Sequence, residues 1–334
     1  MRLKEIYKPI RRELDQVEKV LEVSLKETKN ESILKLNRFL LKSPGKRLRP
    51  AMLILSAKAT VGRSPEVISR QLINLACAIE LIHMASLIHD DVIDHSLLRH
   101  NNPTVNSRWG ADVSIALGDY LYSLAFKLIA TCNNTDILDC ISSATKSMCE
   151  GELTQVVERD NFSLLKERYI MIVKKKTASL FAASCQAGAI LSDSPRPLQN
   201  ALKAYGLNFG VAFQIIDDYL DIAAPKSRLG KSPGQDIAVG EMTLPLLDLL
   251  KFSSKNKRYR LESLLKSKTN GCFKKIKVEL SNSDAISRTK KITLSYLNSA
   301  RDRLKSLSDS QYRKALLDLV DLTPEANVWK ERVS

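Results

Sequence analysis

Asp90-Asp-Val-Ile-Asp94 and Asp217-Asp-Tyr-Leu-Asp221 are the two stretches in which residue type and spacing could do chemistry. On a helix Asp90 and Asp94, four apart, share one ridge with Asp91 beside them, and like charges so placed repel unless a cation sits between. A hard divalent cation such as Mg²⁺ takes carboxylate oxygens and completes its shell with waters or substrate phosphates. A lone D-D-x-x-D is more often a solvated acidic face. The second copy, Asp217, Asp218 and Asp221, again closing an apolar helical run, changes the reading: two clusters facing each other across a bundle would clamp one diphosphate through several metal ions.

The elements that must position these clusters are helices. Ile73-Asn-Leu-Ala-Cys-Ala-Ile-Glu-Leu-Ile82 is apolar almost all the way round, the pattern of a helix buried in a larger protein. Ser64-Pro-Glu66 supplies its N-cap and first-position proline, and Pro197 starts the helix that ends in the second cluster. Further helices are predicted over 1–28, 29–42, 50–60, 136–158 and 182–191, with another buried helix opening at Gly118 and a turn at Arg99-His-Asn-Asn-Pro-Thr104. Glu152 and Gln155 share a face whose other members are small or apolar. The junction Ser43-Pro-Gly-Lys-Arg-Leu-Arg-Pro50 carries Lys46, Arg47 and Arg49 into a helix start, where backbone amides and arginine forks both favour an anion. Pro225 to Thr243 is the one long Gly/Pro/Ser-rich stretch, and its place directly after the second cluster suits a lid.

Composition agrees with an all-α fold. The 334 residues hold 44% hydrophobic residues and only 12 glycines, and no sustained period-2 alternation occurs. No linker divides the chain, so a single domain over 1–334 is expected, with a lid at about 223–244 and a basic helical part at 251–334. That basic part has 20 Lys and Arg against nine Asp and Glu within a net charge of +15. Its charges are scattered along helical patterns, which makes a solvated face the expectation rather than a nucleic-acid surface. Six cysteines without a C-x-x-C pair read as reduced core residues, and no stretch reaches about 18 uninterrupted apolar residues. A cytoplasmic location is expected.

At this point the residues resemble the trans-polyprenyl diphosphate synthases, most like the long-chain octaprenyl and heptaprenyl types. The resemblance rests on G-K-R-L-R-P at 45–50, D-D-V-I-D at 90–94, Lys176-Thr177, F-Q-x-x-D-D-x-x-D at 213–221, and G-x-D at 234–236 followed by T-L-P at 243–245. It implies an isoprenoid synthase helical bundle around a deep central cavity, usually a homodimer. About three Mg²⁺ ions, with Mn²⁺ able to substitute, would be held by Asp90, Asp94 and Asp217 and supported by Asp91, Asp218 and Asp221. The allylic diphosphate would meet Arg99, Lys176 and Lys231. Isopentenyl diphosphate would sit on Lys46, Arg49, His83 and His100. Gln214 and the Thr177 carbonyl would face the allylic cation that the departing diphosphate leaves behind. Partners beyond these substrates are limited to a second copy and peripheral membrane contact through the product.

His83 stands seven residues before Asp90 on the same side of its helix, which suits substrate contact. His89 points elsewhere and is expected to be structural, and no histidine has zinc-ligand companions. The chain departs from the family in two places: His100 follows Arg99 where a second arginine is usual, and Glu241 replaces a lysine. Each change removes positive charge near phosphate, unless Glu241 turns outward on a mobile lid. Product length is expected to be long, because Ala85 and Ser86 stand where short-product members carry an aromatic. Ile82 and Ala78 continue that wall, Ala78 lying about 18 Å from Asp90 along the helix, and Ile141, Ala144 and Met148 form the floor. Two rivals are a terpene cyclase of the same fold and a non-catalytic or weakly active subunit of a heteromeric synthase.

Overall fold

The computed structural model describes residues 3–42, 45–60, 65–99, 102–223, 234–268 and 270–325. After a helical turn at Leu3–Ile6 come α1 (Arg11–Lys26), α2 (Glu31–Leu41), α3 (Leu48–Ala59) and α4 (Pro65–Ile93). A minimal antiparallel ribbon, β1 (Leu98–Arg99) with β2 (Asn102–Pro103), stands where the sequence suggests only a turn. α5 (Val105–Ala130), α6 (Thr135–Val157), α7 (Lys166–Val173), α8 (Ser179–Leu191) and α9 (Arg196–Ala223) follow. The chain continues with α10 (Gln235–Val239), α11 (Leu244–Lys251), α12 (Lys255–Ser267), α13 (Asn270–Ser281), α14 (Ala285–Arg303) and α15 (Gln311–Glu325).

Local chemistry sets several boundaries. Asn30 caps α2 by accepting from the amides of Ser32 and Ile33, and Thr104 caps α5 through Ser107. α5 therefore begins 13 residues before Gly118, and it kinks at Gly110, whose φ of +83° only glycine adopts without strain. Between α7 and α8 the chain widens into a π-helical turn at Lys174–Ala178, a form found mostly as single turns and often at functional sites.

The chain forms two compact units. The first comprises Met1–Thr145, Leu180–Gly206 and Arg303–Leu319; the second comprises Lys146–Ser179, Leu207–Asp302 and Val320–Ser334. In the first, α4 is buried along the whole run from Leu75 to Ile82 and packs along α5. Gly188 of α8 lies so close to α3 that an added Cβ would stand 2.3 Å from the Leu53 carbonyl oxygen. In the second, Val211, Ile215, Leu246, Leu250, Leu261 and Ile276 share one apolar core, which buries the inner stripes of α9, α11, α12 and α13. Arg70–Ile93 and Val105–Ala130 are long and apolar enough to cross a membrane; in α4, 67% of that stretch is instead buried in the protein's own interior. Cys77, Cys132, Cys185 and Cys272 are buried as expected, whereas Cys140 is half-buried and Cys149 exposed.

Candidate active site

In the second unit the end of α9, the π turn and the C-terminal end of α6 line one pocket together with Tyr169, Asp236, Glu241 and Thr243. Asp217 is exposed, while Asp218 and Asp221 are buried. Asp218 accepts two hydrogen bonds, from the Tyr169 hydroxyl at 2.5 Å and from Gln214 Nε2 at 2.7 Å. Gln214 Oε1 accepts from Thr177 Oγ1 at 2.8 Å. Lys176 Nζ lies 2.5 Å from Glu152 Oε2. This pairing needs α6 and the π turn in backbone contact, and Gly151 provides it: a Cβ there would come within 2.4 Å of the Lys176 amide nitrogen.

Asp221 works on the backbone that follows. Its side chain accepts from the Asp236 amide at 3.2 Å, and its carbonyl oxygen accepts from the Gly234 amide at 3.0 Å. Residues 224–233, including Lys231, lie outside the described residues, but 234–244 form an anchored segment around α10 rather than a loose half of a lid. Glu241 does not turn outward as the sequence allowed. Its side chain is only 12% exposed, lines the pocket, and faces Arg159 at 3.8 Å.

In the first unit Asp90 and Asp94 are half-buried and Asp91 is buried. Arg99, carried back by β1, holds Asp91 Oδ1 through Nε and Nη2, both at 2.9 Å. Burial outweighs that cation and leaves the Asp91 carboxyl above its ordinary pKa. Arg99, expected on the allylic diphosphate, thus holds a carboxylate of the first cluster.

Of the basic junction, Arg47 forks onto Glu18 and meets Glu80 at 2.7 Å, which makes it a structural strut. Arg49 is half-buried and lies over the Phe181 ring, 4.1 Å from its centroid, with its enclosed Nε lacking a hydrogen-bond partner among the described residues. Burial lowers its pKa to about 10, against the pull of Glu80 and Asp90. Such a desolvated guanidinium is well suited to an anion. Lys46 is exposed. Burial, then Arg49, Arg99 and Arg47, hold His83 well below the ordinary histidine pKa, so the imidazole is neutral. His100 lies outside the described residues. His89 is structural as expected: its Nε2 lies 3.1 Å from the Ile115 carbonyl, and its ring fills the space beside Gly118.

The expected chain-length wall is closed. Ala78, Ile82, Ala85 and Ile141 have no accessible surface, so they line no open tunnel here; Ser86, whose hydroxyl bonds the His83 carbonyl, is half-buried.

Asp90 and Asp94 are half-buried and Asp217 is exposed, and their carboxylates are a donor set suited to Mg²⁺. Among the described residues no three His, Cys, Asp or Glu converge on one point. That fits an ion taking one or two protein carboxylates and completing its shell with water and phosphate, as Mg²⁺ does. Sequence reasoning missed Tyr169 and Arg159, because each meets its partner across a long stretch of chain with no local pattern to announce it. It also passed over Glu18 and Glu80 as the anchors of Arg47.

A family model described as polyprenyl synthetase matches residues 30–280. The chain is 32% identical over 326 residues to a short chain isoprenyl diphosphate synthase of Methanothermobacter thermautotrophicus, covering 96% of this chain and 98% of that one. It is 31% identical over 316 residues to heptaprenyl diphosphate synthase component 2 of Bacillus subtilis, covering 95% and 88%. The fold superposes with a TM-score of 0.91, at 29% identity, on a polyprenyl synthase from Caulobacter crescentus complexed with calcium and isoprenyl diphosphate, covering 99% and 98%.

Proposed function

Because the chain belongs to the polyprenyl synthetase family, we propose that it condenses isopentenyl diphosphate head to tail with an allylic diphosphate primer. The product is a medium- or long-chain all-trans polyprenyl diphosphate. The observation that carries this reading is the pocket in which Lys176 and Thr177 of the π turn meet Gln214 and Asp217 of α9. A terpene cyclase would not need the repeated D-D-x-x-D, nor the basic junction at 45–50.

In this mechanism Asp90, Asp94 and Asp217 would hold Mg²⁺, and both clusters would act on one diphosphate. The bound ion would supply charge neutralisation to the departing diphosphate. Lys176 and Lys231 bind the same diphosphate, while Lys46, Arg49, neutral His83 and His100 hold that of isopentenyl diphosphate. Gln214 Oε1 and the Thr177 carbonyl present partial negative charge to the allylic carbon as its bond to oxygen breaks. The isopentenyl double bond then bonds to that carbon, and loss of a proton restores a double bond five carbons further on.

The long-chain reading is supported by the small residues Ala85 and Ser86 and by the heptaprenyl relative; the relative named for short chains sets the competing outcome. Growth then requires the closed wall at Ala78, Ile82, Ala85 and Ile141 to part as the chain extends. A cytoplasmic homodimer belongs to the same proposal. The Bacillus relative is named as a component, which favours a second reading in which this chain needs a partner. Incubating the purified chain with labelled isopentenyl diphosphate, Mg²⁺ and C10, C15 or C20 allylic primers decides between them. Products longer than C20 from the chain alone support the proposal; no incorporation with any primer opposes it.

A further inference from the structure

Tyr169 enters none of the roles assigned so far, yet it is a buried polar group at the pocket, at 5% exposure. Its hydroxyl donates to Asp218 Oδ2 at 2.5 Å. The other Asp218 oxygen takes the Gln214 amide nitrogen at 2.7 Å, and the Gln214 oxygen takes the Thr177 hydroxyl at 2.8 Å. Four side chains from α7, the π turn and α9 thus form one directed chain.

Its direction is fixed by what each group can do. An ionised carboxylate only accepts, and a glutamine side chain donates only from nitrogen. With Asp218 pinned at both oxygens, Gln214 must turn its nitrogen inward and its oxygen toward Thr177 and the pocket. Without the phenol, Asp218 loses the donor on Oδ2, and its hold on the Gln214 amide weakens. The amide then loses its fixed sense. Burial and the neighbouring carboxylate hold the phenol protonated, so it stays a donor.

We propose that Tyr169 is a positioning residue for prenyl transfer: through Asp218 it fixes the Gln214 amide with its oxygen facing the reacting carbon. This rests on the function proposed above. The orientation matters once positive charge develops, so its loss falls on kcat rather than on substrate binding.

The test compares Tyr169→Phe with Tyr205→Phe. Tyr205 is equally buried, but its hydroxyl donates to the Leu316 carbonyl in the first unit, at 2.8 Å. Both variants should lose thermal stability. Tyr169→Phe alone should lower kcat, by about tenfold to a hundredfold for a hydrogen bond to a charged acceptor, with both KM values within about threefold. Combined with Thr177→Val, its loss should fall short of the product of the two single losses by about threefold or more, because both act through Gln214. A readout independent of activity is the Gln214 side-chain NH₂ signal in ¹⁵N-glutamine-labelled protein, which should be protected from solvent exchange in the wild type and lose that protection in Tyr169→Phe.

The proposal is overturned by an unchanged kcat, by a loss confined to KM, by equal kcat losses in both tyrosine variants, by fully multiplicative losses, or by an unchanged amide signal. An inactive wild type would count against the prenyltransferase reading alone, with the amide signal still deciding the role of Tyr169. Should Tyr169→Phe fail to fold, 3-fluorotyrosine at that position retains the ring and must still change kcat by about twofold or more.

Discussion

The two acid clusters have the same sequence pattern, yet each is held in a different way. In both, the second aspartate turns inward and is clamped. Asp91 is clamped by a guanidinium that the ribbon carries back, Arg99, and Asp218 by two neutral donors, Tyr169 and Gln214. The first clamp neutralises its aspartate. The second orients an amide. One motif therefore serves two local purposes, and the difference lies entirely in what packs against it.

Removing an accessible carboxylate from either cluster should have the largest effect. Asp90→Ala and Asp217→Ala should each lower turnover by at least about a hundredfold at saturating Mg²⁺, with the helical circular dichroism retained. If only one variant did so, the clusters would not be acting on one diphosphate. Arg99→Ala comes next. It leaves a buried carboxylate without its cation and should cost about 2 to 3 kcal/mol in a denaturant titration. Tyr169→Phe should cost about 1 to 2 kcal/mol. Because Arg99 is partly exposed, salt should weaken the first clamp and leave the second unchanged.

Gly151→Ala tests the packing beneath the second cluster. The added Cβ meets backbone 2.4 Å away, so about 1 to 3 kcal/mol of stability should be lost and activity should fall as Lys176 shifts. Glu241→Lys places a cation against Arg159. It should lower stability by about 1 kcal/mol and leave the KM for isopentenyl diphosphate no better, whereas the same change combined with Arg159→Gln should recover the loss. The smallest effect concerns His83. Its folded-state pKa is depressed, so below about pH 6.5 the unfolded chain gains a proton that the folded chain does not, and stability falls as the pH drops. His83→Gln should flatten that slope between pH 7 and 5.5 when melting temperature is followed against pH.

Much of the frame was legible because it is local. Pro65 and Pro197 start the two long helices, the apolar run before Asp90 announces a buried helix, and the repeated acids mark both ends. What stayed hidden depends on long-range packing. Tyr169 finds Asp218 across 49 residues, and nothing in the pattern K-E-R-Y-I-M-I-V points to it. Glu241 was read by charge alone, since its proximity to Arg159 exists only after α10 is anchored on Asp221. The kink at Gly110 and the π turn at Lys174–Ala178 leave hydrophobic periodicity nearly intact, so the pattern does not reveal them. At Ala78 and Ala85 small side chains were read as room for a product; in the folded chain both are fully buried.

The central claim is that this chain transfers prenyl groups rather than merely releasing or cyclising them. Diphosphate release and incorporation of labelled isopentenyl diphosphate, followed together in one reaction of the purified chain with an allylic primer and Mg²⁺, test it most directly. One diphosphate released per isopentenyl unit incorporated, with chains growing in five-carbon steps, is the predicted result; diphosphate release without incorporation would contradict it.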